Sequence, residues 1–238
     1  MAHAAWKWMA VAAAVGAAVL ACGGDDDEGG TNNPPTGIDA GVNEVRPGLG
    51  DDPGEPLGTQ FNLPTGVTVS GTVYGADDLT SDCGNGAPGN GSGVYVQVCV
   101  PLRNSTGGPV EVVFPPGLVI VSTSEGFQNG LLVERVVITV PPTPPGPGGP
   151  PDGGTDPDAT VVPLFTYCLN ESQNPNEKGT PYKLGPVTSD SALKELLQLL
   201  SGKRIDSPED VDVVQEALYS ITESKGLTAE DRAAINKL

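Results

Sequence analysis

The apolar positions of this chain follow two different periods. Over residues 67–74 and 94–100 apolar and polar side chains alternate, so one face of each segment is buried, as in a half-buried β-strand. Residues 110–114, 118–121, 131–140 and 160–169 share the same strand-forming bias, with Pro115-Pro116-Gly117 and Asn129-Gly130 marking turns between them. Short strands at this spacing predict an antiparallel β-sandwich or barrel. Beyond Lys183 the period becomes helical. Leu193, Leu196, Leu197 and Leu200 form one stripe of a helix over 192–201 that stops at Gly202. Ser207 as a cap, Pro208 at the first helical position and Glu209 and Asp210 in the first turn open a second helix that ends near Glu223. Thr228, with Asp231 three residues on, opens a third helix carrying Ala233, Ala234 and Leu238. The pattern predicts an α+β fold, an antiparallel β-sandwich or barrel over 61–169 followed by a C-terminal three-helix subdomain over 188–238.

Residues 141–151, nearly all Pro and Gly, and the Asp-rich 152–158 offer an obvious domain boundary. The only strand signal after them is 160–169, and a lone strand cannot satisfy its backbone, so it is expected to pair back onto the preceding sheet. The stretch 141–159 is then a surface loop within a single domain spanning 61–238. Asp152, Asp156 and Asp158 lack the spacing of a calcium loop, and no metal is expected there.

The first 60 residues carry neither period. Lys7 precedes an apolar run over 9–20, about 12 residues long, which is the length of a signal h-region and short of the ~20 that span a membrane. It ends in Val19-Leu20-Ala21-Cys22, which resembles the lipobox of bacterial lipoproteins. The resemblance implies that 1–21 is a signal peptide and that Cys22 is acylated on its thiol and freed amine, giving two or more chains and stable anchoring in a lipid bilayer. Residues 22–60 are mostly Gly, Asp, Asn, Pro and Thr, too polar to offset chain entropy, and read as a disordered acidic tether with a reach of ~35 Å. Asp25-Asp26-Asp27-Glu28 reads as part of that solvated linker. Gly23 is not the Asp that retains enteric lipoproteins at the inner membrane, so the resemblance implies an outer-membrane protein exposed at the cell surface.

Removal of the signal also removes the only histidine, His3, together with Trp6, Trp8, Met1 and Met9. A chain without imidazole has no Ser-His-Asp or Cys-His nucleophile and no His-ligated zinc. With 30 Asp and Glu against 12 Lys and Arg the net charge is −18, which repels phosphates, and no nucleic acid partner is expected. Eight of the 12 basic residues lie from Lys178 onward, so the helical part is near neutral. There is no Gly-x-Gly-x-x-Gly, Walker loop or CxxC, so no cofactor is expected. Nothing separates Glu134, Glu171 or Glu177 from surface acids, and the chain does not read as an enzyme.

With Cys22 acylated, Cys83, Cys99 and Cys168 remain, an odd number for an exported protein. Cys83 and Cys99 bracket a Gly-rich loop whose closure by a disulfide would contribute ~3 kcal/mol, leaving Cys168 single; pairing of Cys168 with either of the others stays open. Tyr167-Cys168-Leu169-Asn170 ends the last predicted strand, and Val214-Gln215-Glu216-Ala217-Leu218-Tyr219 lies 47 residues later in the second helix. This pair of motifs resembles the bacterial thioester domains, surface adhesin domains in which a Cys on a strand joins the side-chain carbonyl of a Gln on a helix. The resemblance implies a thioester between Cys168 and Gln215, shielded by Tyr167 and Tyr219 and opened by an amine on a partner protein or surface. Tyr219 stands where the family usually has Trp. Independently of the family, Val211, Val214, Leu218 and Ile221 make an apolar stripe that carries Gln215 inward, and strand alternation puts Cys168 on the face of Val162 and Leu164. A different reading is an envelope lipoprotein that binds or supports without covalent chemistry, its Cys168 a buried free thiol.

Overall fold

The computed structural model describes residues 46–52, 54–76, 83–84, 86–144, 156–223 and 226–238; the signal, Cys22 and the tether up to residue 45 lie outside them. In chain order the strands are β1 (Gly58–Gln60), β2 (Val67–Val69), β3 (Val73–Gly75), β4 (Val96–Asn104), β5 (Val110–Phe114), β6 (Leu118–Ser122), β7 (Gly130–Leu131), β8 (Val136–Val140), β9 (Thr160–Cys168) and β10 (Pro181–Thr188). The helices are α1 (Ser191–Leu200), α2 (Pro208–Thr222) and α3 (Ala229–Ile235).

Strands β3, β4, β9, β7, β6 and β10 pair in that order, and β10 returns to β3, so six antiparallel strands close into a barrel. The fold is α+β with C-terminal helices, and the β part is a barrel with added strands. Closure leaves these strands no free edge, the problem a sandwich would have to manage otherwise. β1 extends the sheet beside β10, β2 pairs with β4, and β5 and β8 form a separate ribbon. The spine is β4 on β9, in register from Leu102 opposite Thr160 to Val96 opposite Thr166.

Two cores follow from the alternation of the strands. Inside the barrel Val98, Val100, Leu102, Leu118, Ile120, Val162 and Leu164 pack with Val112 and Phe114 of the ribbon. Outside it, Val119, Val121, Leu131, Tyr167 and Leu169 meet Leu193, Leu196, Val214, Leu218, Ile221 and Ile235 of the helices. β6 is therefore covered on both faces, which is why its sequence is an unbroken apolar run. The helix caps form as their residues require: Ser207 with Asp210 and Thr228 with Asp231 each complete a capping box.

Four sequence expectations are corrected. The segment 67–74 is two strands, broken after Val69 where Gly71 takes a left-handed φ of 86°. The segment 131–140 is also two, β7 in the barrel and β8 in the ribbon. β10 has no counterpart in the predicted strands, because Pro181, Gly185 and Pro186 read as breakers. It takes Pro181 at its first position and tolerates Gly185 and Pro186 through an irregularity between Leu184 and Val187. The tether ends sooner than Gln60, since residues 46–52 and β1 belong to the folded body: Leu49 is buried in the helix-side core and Gly50 N–H donates to Leu169 O at 2.8 Å.

The ends of the Pro-rich loop are tied down, while 145–155, including Asp152, lie outside the described residues. Asp156 is buried and accepts from Arg103 Nε at 2.8 Å and Ser70 Oγ at 2.8 Å, and Arg103 also donates to Pro144 O at 3.2 Å. No group of metal-ligating side chains occurs among the described residues. The Arg103 guanidinium beside Asp156 and the Ser70 hydroxyl hold its carboxyl down to about 2. A folded-state value below the unfolded one stabilises at pH above the unfolded value and is lost as pH falls through the folded one. Thermal unfolding is therefore expected to drop between about pH 4 and pH 2, and Asp156→Asn should flatten that part of the profile while lowering stability at neutral pH.

Cys83 and Cys99 form a disulfide across 16 residues, joining the loop to β4. Reduction is expected to lower stability by ~3 kcal/mol, read from denaturant midpoints with and without reductant. The Tyr182 hydroxyl, in a residue only 2% exposed inside the barrel, has no hydrogen-bond partner among the described residues. Tyr182→Phe, which keeps the ring, is expected to raise stability by about 1 kcal/mol.

Candidate functional site at the end of β9

Cys168 closes β9, and strand alternation turns its side chain into the barrel core beside Val162, Leu164 and Tyr182. It is a free thiol and wholly buried. Gln215 sits in the middle of α2, 1% exposed, on the stripe of Val211, Val214, Leu218 and Ile221, all of them buried. β4 pairs with β9 only as far as Val96 opposite Thr166, so two residues further on the main chain of Cys168 needs other partners. Gln215 supplies them: Cys168 N–H donates to Gln215 Oε1 at 2.9 Å and Gln215 Nε2 donates to Cys168 O at 2.9 Å. Two motifs 47 residues apart thus meet through a two-point contact.

The sulfur has a donor of its own. Asn170 N–H reaches Cys168 Sγ at 3.2 Å, and Tyr219, one helical turn after Gln215, packs against the core cluster that includes Cys168. Burial still dominates and pushes the Cys168 thiol up to about 11, against the lowering pull of the Asn170 amide and Tyr219. Burial, with Asp212 as its hydrogen-bond acceptor, also raises Tyr95, whose hydroxyl donates to Asp212 Oδ1 at 3.0 Å and bridges the start of β4 to α2.

The two expected shielding tyrosines part company. Tyr219 is half-buried against the barrel-side cluster that holds Cys168. Tyr167 lies on the opposite strand face, in the helix-side core, with its hydroxyl 2.8 Å from Ser92 Oγ, away from the cluster that holds the thiol. Its hydroxyl is driven upward by burial and stays protonated.

Residues 46–52 form a strap over the same end of the barrel. Asn170 Nδ2 donates to Gly48 O at 3.2 Å and Gly50 O at 2.9 Å, and Asn129 Nδ2 donates to Gly48 O at 3.0 Å. At its other end Arg46 pairs with Asp190, the cap of α1, at 2.7 Å and donates to Ile221 O in α2. The strap therefore joins the residues just after Cys168 to the helix that carries Gln215. A cavity of about 420 Å³ beside it is lined by Asp51, Ser124, Glu125, Asn129 and Asn170 among others, and reaches neither Cys168 nor Gln215.

Asn170, Tyr95 and the strap escape sequence reasoning. Asn170 stood inside the Cys168 motif, but a main-chain N–H leaves no residue-type signature; Tyr95 sits within a strand pattern, and the strap is written in the same Gly and Asp alphabet as the tether.

Chemically, a buried side-chain carbonyl polarised by one N–H, held on the main chain of the residue that carries the buried Cys168 sulfur, is of the kind that can support acyl transfer. Cys168 N–H on Gln215 Oε1 is placed to stabilise the negative charge that builds on that oxygen when its carbon is attacked. Comparison with protein-family models, curated proteins and solved structures finds no match to this chain.

Proposed function

We propose that this chain is a lipid-anchored cell-surface protein, held at the outer membrane through Cys22, whose Cys168 and Gln215 condense into an internal thioester that couples covalently to amines on a partner surface. What supports this reading is the two-point contact between the Gln215 amide and the Cys168 main chain, buried together, in the two motifs that resemble the thioester domains. In the condensation Cys168 Sγ attacks Gln215 Cδ, the C–N bond breaks, and the nitrogen leaves as ammonia with the proton of the thiol. In the opening, an amine nitrogen adds to Gln215 Cδ, the C–S bond breaks, and the sulfur departs with the electron pair and recovers a proton. The protein ends with a covalent amide at Gln215 and a free thiol at Cys168. Hydrolysis is the competing fate, and the apolar lining of Val162, Leu164 and Tyr182 delays it.

The noncovalent reading draws on one observation: as an intact amide, Gln215 is already satisfied at both Oε1 and Nε2. Thiol labelling of acid-denatured protein separates the two. The covalent reading expects Cys168 to resist alkylation until the folded protein has been treated with methylamine, and then to label fully. Full labelling without methylamine would leave a binding or structural lipoprotein.

A further inference from the structure

Gln215 makes both of its hydrogen bonds to a single residue: Oε1 accepts from Cys168 N–H and Nε2 donates to Cys168 O, each at 2.9 Å. Because the two partners stand side by side, the hydrogen that Nε2 donates is the one on the same side as Oε1. Only an unsubstituted amide carries a hydrogen there in its ordinary form. In a secondary amide the carbon substituent takes the oxygen's side and the remaining hydrogen points away, the reverse arrangement being populated on the order of one part in a hundred. We propose that covalent coupling is also a conformational switch: the amide it leaves at Gln215 cannot rebuild the contact with Cys168, so capture of an amine unties α2 from the end of β9.

This rests on the thioester reading and extends it to the state that follows coupling. The step balances: the amine nitrogen bonds to Gln215 Cδ and sheds one proton, the C–S pair goes to sulfur, and sulfur takes up one proton. The nitrogen on Gln215 then carries one hydrogen and one carbon in place of two hydrogens. That carbon, at bonding distance from the nitrogen, would have to fit between two atoms that stand 2.9 Å apart in the free chain, far inside van der Waals contact with Cys168 O. The amide must therefore move away, and both bonds go together because both are made to one residue. Burial points the same way. Gln215 is 1% exposed, so a partner's side chain joined to its nitrogen needs a way out that the free chain does not hold open.

The surrounding pairings decide which element gives way. On its far side Cys168 keeps β7, where it stands opposite Gly130, and Leu169 N–H keeps Asn129 O at 3.0 Å. On the α2 side β4 has stopped pairing at Val96, so the two groups that Gln215 gives up have no strand to turn to among the described residues. The strand end stays seated on β7, and α2 is left with its apolar stripe in the helix-side core and with Tyr95 on Asp212.

The test uses the full chain with Cys22→Ser, opened with methylamine or with ammonia and held in the same concentration of the amine that opened it. The two products differ by one methyl group on the Gln215 nitrogen, and only the ammonia product is a primary amide. Hydrogen exchange at Cys168 N–H is followed in both by mass spectrometry or NMR. The expected result is exchange about tenfold or more faster in the methylamine product, close to the rate in Gln215→Leu, which lacks both groups and forms no thioester. Equal protection in the two products would overturn the switch and leave the thioester, shown by the starting mass, standing. A chain that does not start one ammonia below its sequence would overturn the switch and the thioester together. Exchange in Gln215→Leu as slow as in the ammonia product would overturn the switch by itself, since the contact would then hold nothing.

Discussion

Cys168→Ala is expected to abolish covalent coupling to methylamine or any primary amine, while costing the fold no more than about 2 kcal/mol. The sulfur is one small atom in a packed cluster, and its loss leaves a void well below the size of a Leu→Ala cavity. Asn170 N–H loses its acceptor, but the Asn170 side chain keeps its bonds to Gly48, Gly50 and Asn129. Gln215→Leu should abolish coupling equally and cost more, because the N–H and C=O of Cys168 are then both buried without partners at the point where β4 no longer pairs with β9. The pair therefore separates chemistry from stability: equal, complete loss of adduct by mass, unequal shifts in denaturant midpoint. Coupling that survived Cys168→Ala would place the reactive group elsewhere.

The second large effect is expected at Asn170. Its Nδ2 serves two carbonyls of the strap and its Oδ1 accepts from Asn129 N at 2.8 Å, in a residue 4% exposed. Asn170→Leu has nearly the same volume and none of these bonds. Gly48 O retains the Asn129 side chain, so the groups left without a partner are Gly50 O and Asn129 N–H, and two buried orphans together cost about 4 kcal/mol. The loss should appear as a lower urea midpoint with little change in slope. It should also loosen the strap, since Gly50, in a left-handed φ of 57° against the end of α2, depends on that seat. A loss below about 1 kcal/mol would mean that the strap is held chiefly by Arg46 on Asp190 and Ile221.

Much of the site was legible because its signals are local. The stripe of Val211, Val214, Leu218 and Ile221 turned Gln215 inward, where it is 1% exposed, and alternation along 162–168 put Cys168 in one core with Val162 and Leu164. The bond between Cys83 and Cys99 followed from counting cysteines against a floppy loop. The sandwich-or-barrel choice was not legible, because closure depends on β10, whose Pro181, Gly185 and Pro186 hide a strand that pairs with β1, β3 and β6. Periodicity also cannot tell that an apolar run such as β6 faces two cores. The strap was taken for tether because its ordering comes from Asn129, Asn170 and Asp190, far away in sequence, and from little in its own composition.

The most direct measurement is the intact mass of the full chain with Cys22→Ser, before and after methylamine, corrected for the hydrogens lost in the Cys83–Cys99 bond. A mass one ammonia below the sequence, which rises by one methylamine on treatment and is restored to the full value by Cys168→Ala, is the predicted result. A full mass from the outset, with Cys168 open to alkylation, would contradict the thioester and leave Gln215 as a buried amide holding the end of β9.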